Sequence, residues 1–74
     1  MRTKLQLYLI FWSIESNFRM EEAMYVIINR HKIKNFDEEE YKYIHKLYSE
    51  SKKMTNSIEE GCQEFLKQYY NALT

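Results

Sequence analysis

At 74 residues the chain has room for one domain with one small core, and a domain this short buries only about 60% of its unfolded surface. Apolar residues at 45% and aromatics at 16% exclude a disordered chain. Eleven basic and eleven acidic residues leave no net charge, which disfavours a protein that binds nucleic acid on its own, because phosphate neutralisation supplies most of such affinity.

There is no proline and only one glycine, Gly61, so nothing punctuates strands and no hairpin turn is signalled. The expected fold is all-α, a small bundle of three to four helices with a long third helix. The first helix is expected from about Thr3 to Ser16, with Thr3 as its N-cap. Leu5, Tyr8, Leu9 and Trp12 fall at i, i+3, i+4 and i+7 on one face. Leu7, Ile10, Phe11 and Ile14 make much of the other side apolar too. A helix apolar nearly all round must be central in its fold or covered by a partner. The apolar run Leu5–Trp12 follows Arg2 and Lys4, yet it lacks a small-residue cleavage site and is far short of the roughly 20 residues that span a bilayer. An interfacial anchor is the alternative to the buried helix expected here.

Ser16 and Asn17 form the first break, and either can cap the second helix, expected from about Phe18 to Arg30. Glu21 and Glu22 suit its positive end. Met20, Ala23, Met24, Ile27 and Ile28 fall at i, i+3, i+4, i+7 and i+8 on its apolar face. Arg30, His31, Lys32 and Lys34 crowd its C-terminal end. They complement the helix dipole there, or they form a small patch for phosphate or acidic groups. Asn35–Glu40 is the second break, where Asn35 with Glu38 and Asp37 with Glu40 both have capping-box spacing. The run Asp37–Glu40 reads as first-turn acids, since consecutive helical carboxylates diverge and cannot share one cation.

From Tyr41 onward a 3-4 repeat runs through Ile44, Tyr48, Ser51, Thr55, Ile58, Cys62, Phe65, Tyr69 and Ala72, the pattern of coiled-coil-like packing. Ser51 and Thr55 weaken its middle. Glu38 with Lys42, and Lys46 with Glu50, are i,i+4 pairs for the wet face. One long helix from about Asp37 to Glu60 is expected, then a shorter one from about Cys62 to Ala72, with a break at Gly61, which lowers helix stability by about 1 kcal/mol against alanine. A helix continuous through Gly61 is the alternative.

No constellation for catalysis stands out. His31 and His45 lie fourteen positions apart on different expected helices, and neither has a second ligand at metal spacing. Cys62 sits in the apolar seam as a small core residue, and no Gly-rich phosphate loop is present. The expectation is a protein that is not an enzyme and needs no metal or cofactor. A single cysteine also excludes an intrachain disulfide and suits a reducing bacterial cytoplasm. Lys, Asn, Ile and Tyr, with AT-rich codons, supply 27 residues, which points to an AT-rich gene of the kind carried by phages, plasmids and acquired islands.

Three stretches carry a resemblance to a known family. Tyr8-Leu9 stands in the first helix, Met20–Ile27 (Met-Glu-Glu-Ala-Met-Tyr-Val-Ile) forms the second, and Asp37–Tyr48 opens the third with Tyr41, Ile44, Leu47 and Tyr48 as its apolar positions. Over about Leu5 to Met54 the chain resembles the Hha/YmoA family of small enterobacterial gene-expression modulators. The resemblance implies a helical protein that docks on a DNA-bound regulator, the nucleoid protein H-NS, and alters the silencing of AT-rich genes. Where that family has an Ala-Ala-Asp-His-Arg stretch with an acid for H-NS contacts, this chain reads Leu47-Tyr-Ser-Glu-Ser51, and Glu50 is the nearest acid.

A cytoplasmic regulatory protein that binds a protein partner is therefore expected. Arg30, Lys32, Lys34, Asp37, Glu38, Glu50, Trp12 and Tyr48 are its candidate contacts. The rival readings are a mobile-element inhibitor, immunity protein or antitoxin that blocks an enzyme; a homodimer or larger helical oligomer built on the Tyr41–Tyr69 seam; and weak direct DNA binding through Arg30, Lys32 and Lys34.

Overall fold

The first helix begins where the sequence places its cap. In a computed structural model that describes residues 1–74, the Thr3 hydroxyl accepts from the Gln6 amide and the Gln6 side chain accepts in return from the Thr3 amide. This capping box satisfies two otherwise orphaned donors and starts α1, Lys4–Ser16. The chain then forms α2, Met20–Tyr25, which runs on into a π-helical turn, Val26–Arg30. Helix α3 is Glu38–Lys53 and α4 is Ile58–Ala72, with no strand anywhere.

Ser16 and Asn17 do not cap α2, contrary to expectation. The Asn17 side-chain amide donates back to the Ser13 carbonyl and closes the end of α1 instead. Arg19 holds the N-cap position of α2 without a side-chain bond. At the second break the choice falls on Asp37, whose carboxylate accepts from the Glu40 amide at 2.8 Å.

The largest correction concerns the second half of the chain. Helix α3 ends at Lys53, not Glu60, and α4 runs through Gly61 without interruption. The break is set by Ser57, which caps α4 by accepting from the Glu60 amide at 3.1 Å. The 3-4 repeat that reads as one continuous seam therefore folds back on itself. Tyr41, Ile44 and Ser51 of α3 are buried with Cys62, Phe65 and Tyr69 of α4, so most of this seam is packed inside the chain.

Small residues let the two helices of this hairpin close. A methyl group built on Gly61 would stand 3.3 Å from the Thr55 hydroxyl and 3.5 Å from Cγ of Lys52. That is tight contact for one carbon and leaves no space for a larger side chain. Gly61 is thus a packing residue, not a helix breaker.

Helix α1 completes the core. Its buried side is Leu7, Ile10, Phe11, Ser13 and Ile14. Phe11 meets the Phe65 ring at 5.4 Å and the Tyr48 ring edge-on at 5.2 Å. On the other apolar side Leu5 is 66% and Tyr8 46% exposed, while Leu9 and Trp12 are partly buried against the core. The molecule measures 29 × 27 × 19 Å. Its thin axis is about two helix diameters, so no helix can be enclosed on every side. No helix is long and apolar enough to cross a membrane.

Helix α2 and its π-helical turn add Ala23 and Ile27 to the core, and the adjoining loop adds Ile33 and Phe36. Ile28, expected on this apolar face, is exposed. Ile28 lies inside the π-turn, whose i→i+5 bonding departs from the α-helical spacing that would set Ile28 above Met24 on the apolar face. Lys32 and Asn35 both sit at φ 58°, a left-handed conformation that costs a non-glycine residue about 1–2 kcal/mol.

Candidate functional site

Two charged clamps hold α1 in place, and no local pattern in the sequence signals either. At its start, Arg2 donates through Nε and Nη2 to the two carboxylate oxygens of Glu40, at 2.8 and 2.7 Å. The same guanidinium donates to the carbonyls of Lys34 and Asn35 at 2.7 and 2.9 Å and lies over the Phe36 ring. The Arg2 amide donates to the Tyr69 hydroxyl at 3.1 Å. One residue thus ties the α1 start, the 31–37 loop, α3 and α4 together. The planar fork of arginine fits this bidentate geometry, and lysine does not.

At the other end of α1, Glu15 accepts from Lys52 Nζ at 2.7 Å and from the Tyr48 hydroxyl at 2.6 Å. The Lys52 ammonium, with help from the Tyr48 hydroxyl, holds the Glu15 carboxyl below its ordinary pKa. Glu15 in turn raises that of Lys52. Burial, then the bond to Glu15, pushes the Tyr48 hydroxyl up.

The candidate contact residues are not brought to one place. Tyr48 is half-buried and its hydroxyl is spent on Glu15. Lys32, Lys34 and Asp37 line one depression beside the exposed Ile28. Arg30 lies in another, with Glu21, Glu22 and Tyr25. Glu38 pairs with Lys42 at 3.3 Å on the open face of α3. Glu50 is exposed and forms no ion pair with Lys46. The basic residues at 30–34 therefore form no single cationic surface, because acids from α2 and the α3 start are interleaved with them.

Trp12 falls on a different surface. Helix α1 lies alongside α4, with Arg2 meeting Tyr69 and Phe11 meeting Phe65, and between them lies a groove lined by Tyr8 and Trp12 on one side and by Glu59, Glu60, Glu64 and Lys67 on the other. Cys62 reaches it from below; its thiol is buried, and burial pushes its pKa up. The Tyr8 and Trp12 rings are 6.1 Å apart, and Leu5 extends their row by one turn. Trp12 packs edge-on against Phe11 at 5.7 Å, and its buried indole N–H has no hydrogen-bond partner. None of the three glutamates forms an ion pair within the chain. The spacing of Leu5, Tyr8 and Trp12 is readable in the sequence. The carboxylate rim opposite is not, because it depends on how α4 lies against α1.

No group of histidine, cysteine or acidic residues is placed to hold a metal ion. No family model, no curated protein and no solved structure matches this chain.

Proposed function

We propose that this chain is a non-enzymatic regulatory protein that acts by docking on another protein, a DNA-bound regulator of the H-NS type, and so modulates gene expression. The observation that carries the docking part is the row Leu5, Tyr8 and Trp12. On this helix face Leu5 and Tyr8 are exposed, and Trp12, packed on the core, stays partly uncovered beside them. Aromatic side chains with one dry and one wet side are enriched at protein interfaces. The choice of partner is supported by the resemblance of Leu5–Met54 to the Hha/YmoA modulators. It is also supported by the absence of a basic excess, since such a protein leaves contact with DNA to its partner.

Calorimetric titration of the intact protein with a purified H-NS-like nucleoid protein tests this reading. Binding that weakens steeply as salt rises is expected, because exposed charges are screened. Absence of binding at low salt refutes it. A second reading, an inhibitor or antitoxin that blocks an enzyme, is favoured by the same aromatic row, where rings would serve as the energetic centre of the contact. It predicts loss of a target enzyme's activity at stoichiometric protein.

A further inference from the structure

We propose that the groove between α1 and α4 receives a short amphipathic helix of the partner, one that carries lysine or arginine along one side and leucine-sized side chains on the other. The inference rests on the reading of the chain as a docking protein and names the segment it takes.

Three observations specify this occupant. The α1 wall is aromatic, with Tyr8 46% exposed and the Trp12 ring tilted against it one turn on. A row of i, i+3, i+7 side chains matches the apolar face of another helix laid along it. The α4 wall carries Glu59, Glu60 and Glu64 against the single cation Lys67, and no cation of this chain pairs with any of the three acids. The groove is therefore apolar on one side and negative on the other. A helix with apolar and basic faces complements both at once, whereas an acidic or uniformly polar segment meets like charge or leaves the rings wet. Elsewhere the surface lacks this pairing. Glu21 and Glu22 share their depression with Arg30, and the Lys32–Lys34 depression includes Asp37.

Trp12 is the only tryptophan and lines this groove, so its emission responds to a ligand bound there. The intact protein is titrated with a synthetic helical peptide bearing leucines at i, i+3, i+4 and i+7 and lysines on the flank. A sister peptide has glutamates in place of the lysines. A saturable change in Trp12 emission is expected with the basic peptide and not with the acidic one. The E59Q/E60Q/E64Q variant, which keeps a glutamine able to complete the Ser57 cap, should bind the basic peptide about tenfold more weakly, and Y8A by a similar factor. An E21Q/E22Q control, with the same kind of charge change elsewhere, should bind like wild type, and circular dichroism checks that each variant is folded. The proposal is overturned if the peptide binds by anisotropy while Trp12 stays silent, if the triple variant binds as well as wild type, or if the acidic peptide binds equally. Binding of the nucleoid protein that is indifferent to these substitutions would sink the groove and leave the regulatory reading standing. Peptide binding without any nucleoid-protein binding would do the reverse.

Discussion

The two halves of this molecule are built to different standards. The α3–α4 hairpin closes tightly around Ile44, Ser51, Gly61, Cys62 and Phe65. The α2 half contributes only Ala23, Ile27, Ile33 and Phe36 to the core. It also contains a π-turn and two left-handed non-glycine residues, and the end of its loop is fastened by Arg2. Global stability therefore resides in the hairpin and α1. The α2 half is expected to open at lower free energy, as segments with few buried contacts do.

Breaking the hairpin side should have the largest effect. Phe65→Ala removes a fully buried ring that packs on Phe11, and should cost about 4 kcal/mol in urea denaturation. That is most of the stability of a domain this small. Arg2→Ala should cost about 2 kcal/mol, from the loss of a bidentate charged bond and two carbonyl partners. Arg2 and Glu40 side chains are only 13% and 26% exposed, so solvent weakens this clamp little. Hydrogen exchange should show the 31–37 amides accelerated while those of the α3–α4 interface change least. Equal acceleration throughout would show that the two halves open as one. Arg2→Lys should recover only part of the loss.

Three substitutions should stabilise, one in the hairpin and two in the α2 half. The Ser51 hydroxyl is fully buried in the hairpin without a partner. Ser51→Ala removes that orphan and improves helix propensity, and should raise stability by about 1 kcal/mol. Lys32→Gly relieves a left-handed residue but adds freedom to the unfolded chain, for a net gain of about 0.5 kcal/mol. Asn35→Gly should gain less, because asparagine tolerates that conformation better.

The smallest effect is pH-dependent. The Glu15 carboxyl titrates lower in the folded chain than in the unfolded one. Its contribution is thus present above the unfolded value of about 4.3 and is lost as pH falls through the folded value. The raised pKa of Lys52 gives the opposite limb: a contribution present below about 10.4 and lost as pH rises through the folded value. The Lys52 side chain is 36% exposed, so the pair contributes no more than about 0.5 kcal/mol. The stability difference between wild type and Glu15→Gln should be constant near neutrality and vanish at low pH.

Legibility in the sequence divides along local and long-range lines. Helix starts with a side-chain cap, Thr3 and Asp37, are legible because capping is local. The turn at Ser57 is hidden, although Ser57 and Glu60 have capping-box spacing, because the apolar repeat continues across it. Two helices of a hairpin each present a seam to the other, and written in line those seams mimic a single coil. Gly61 misleads for a related reason: its propensity argues for a break, while its position in the crossing argues for contact. The outward and inward sides of α1 cannot be told apart in the sequence, since both are apolar. The Arg2 clamp joins residues 38 positions apart, beyond the reach of any local pattern. In the candidate site, Trp12 is legible as an apolar residue in a row with Tyr8. The glutamates facing it are not, because only the fold brings α4 alongside.

The central claim is that the outer face of α1 is where this protein meets its partner. The most direct test is a fluorescence titration of the intact protein with the purified nucleoid regulator, using Trp12 as the reporter. A saturable one-to-one change in emission, lost in the Tyr8→Ala variant, is the result expected. Binding that leaves Trp12 emission and the Tyr8→Ala affinity unchanged would contradict it.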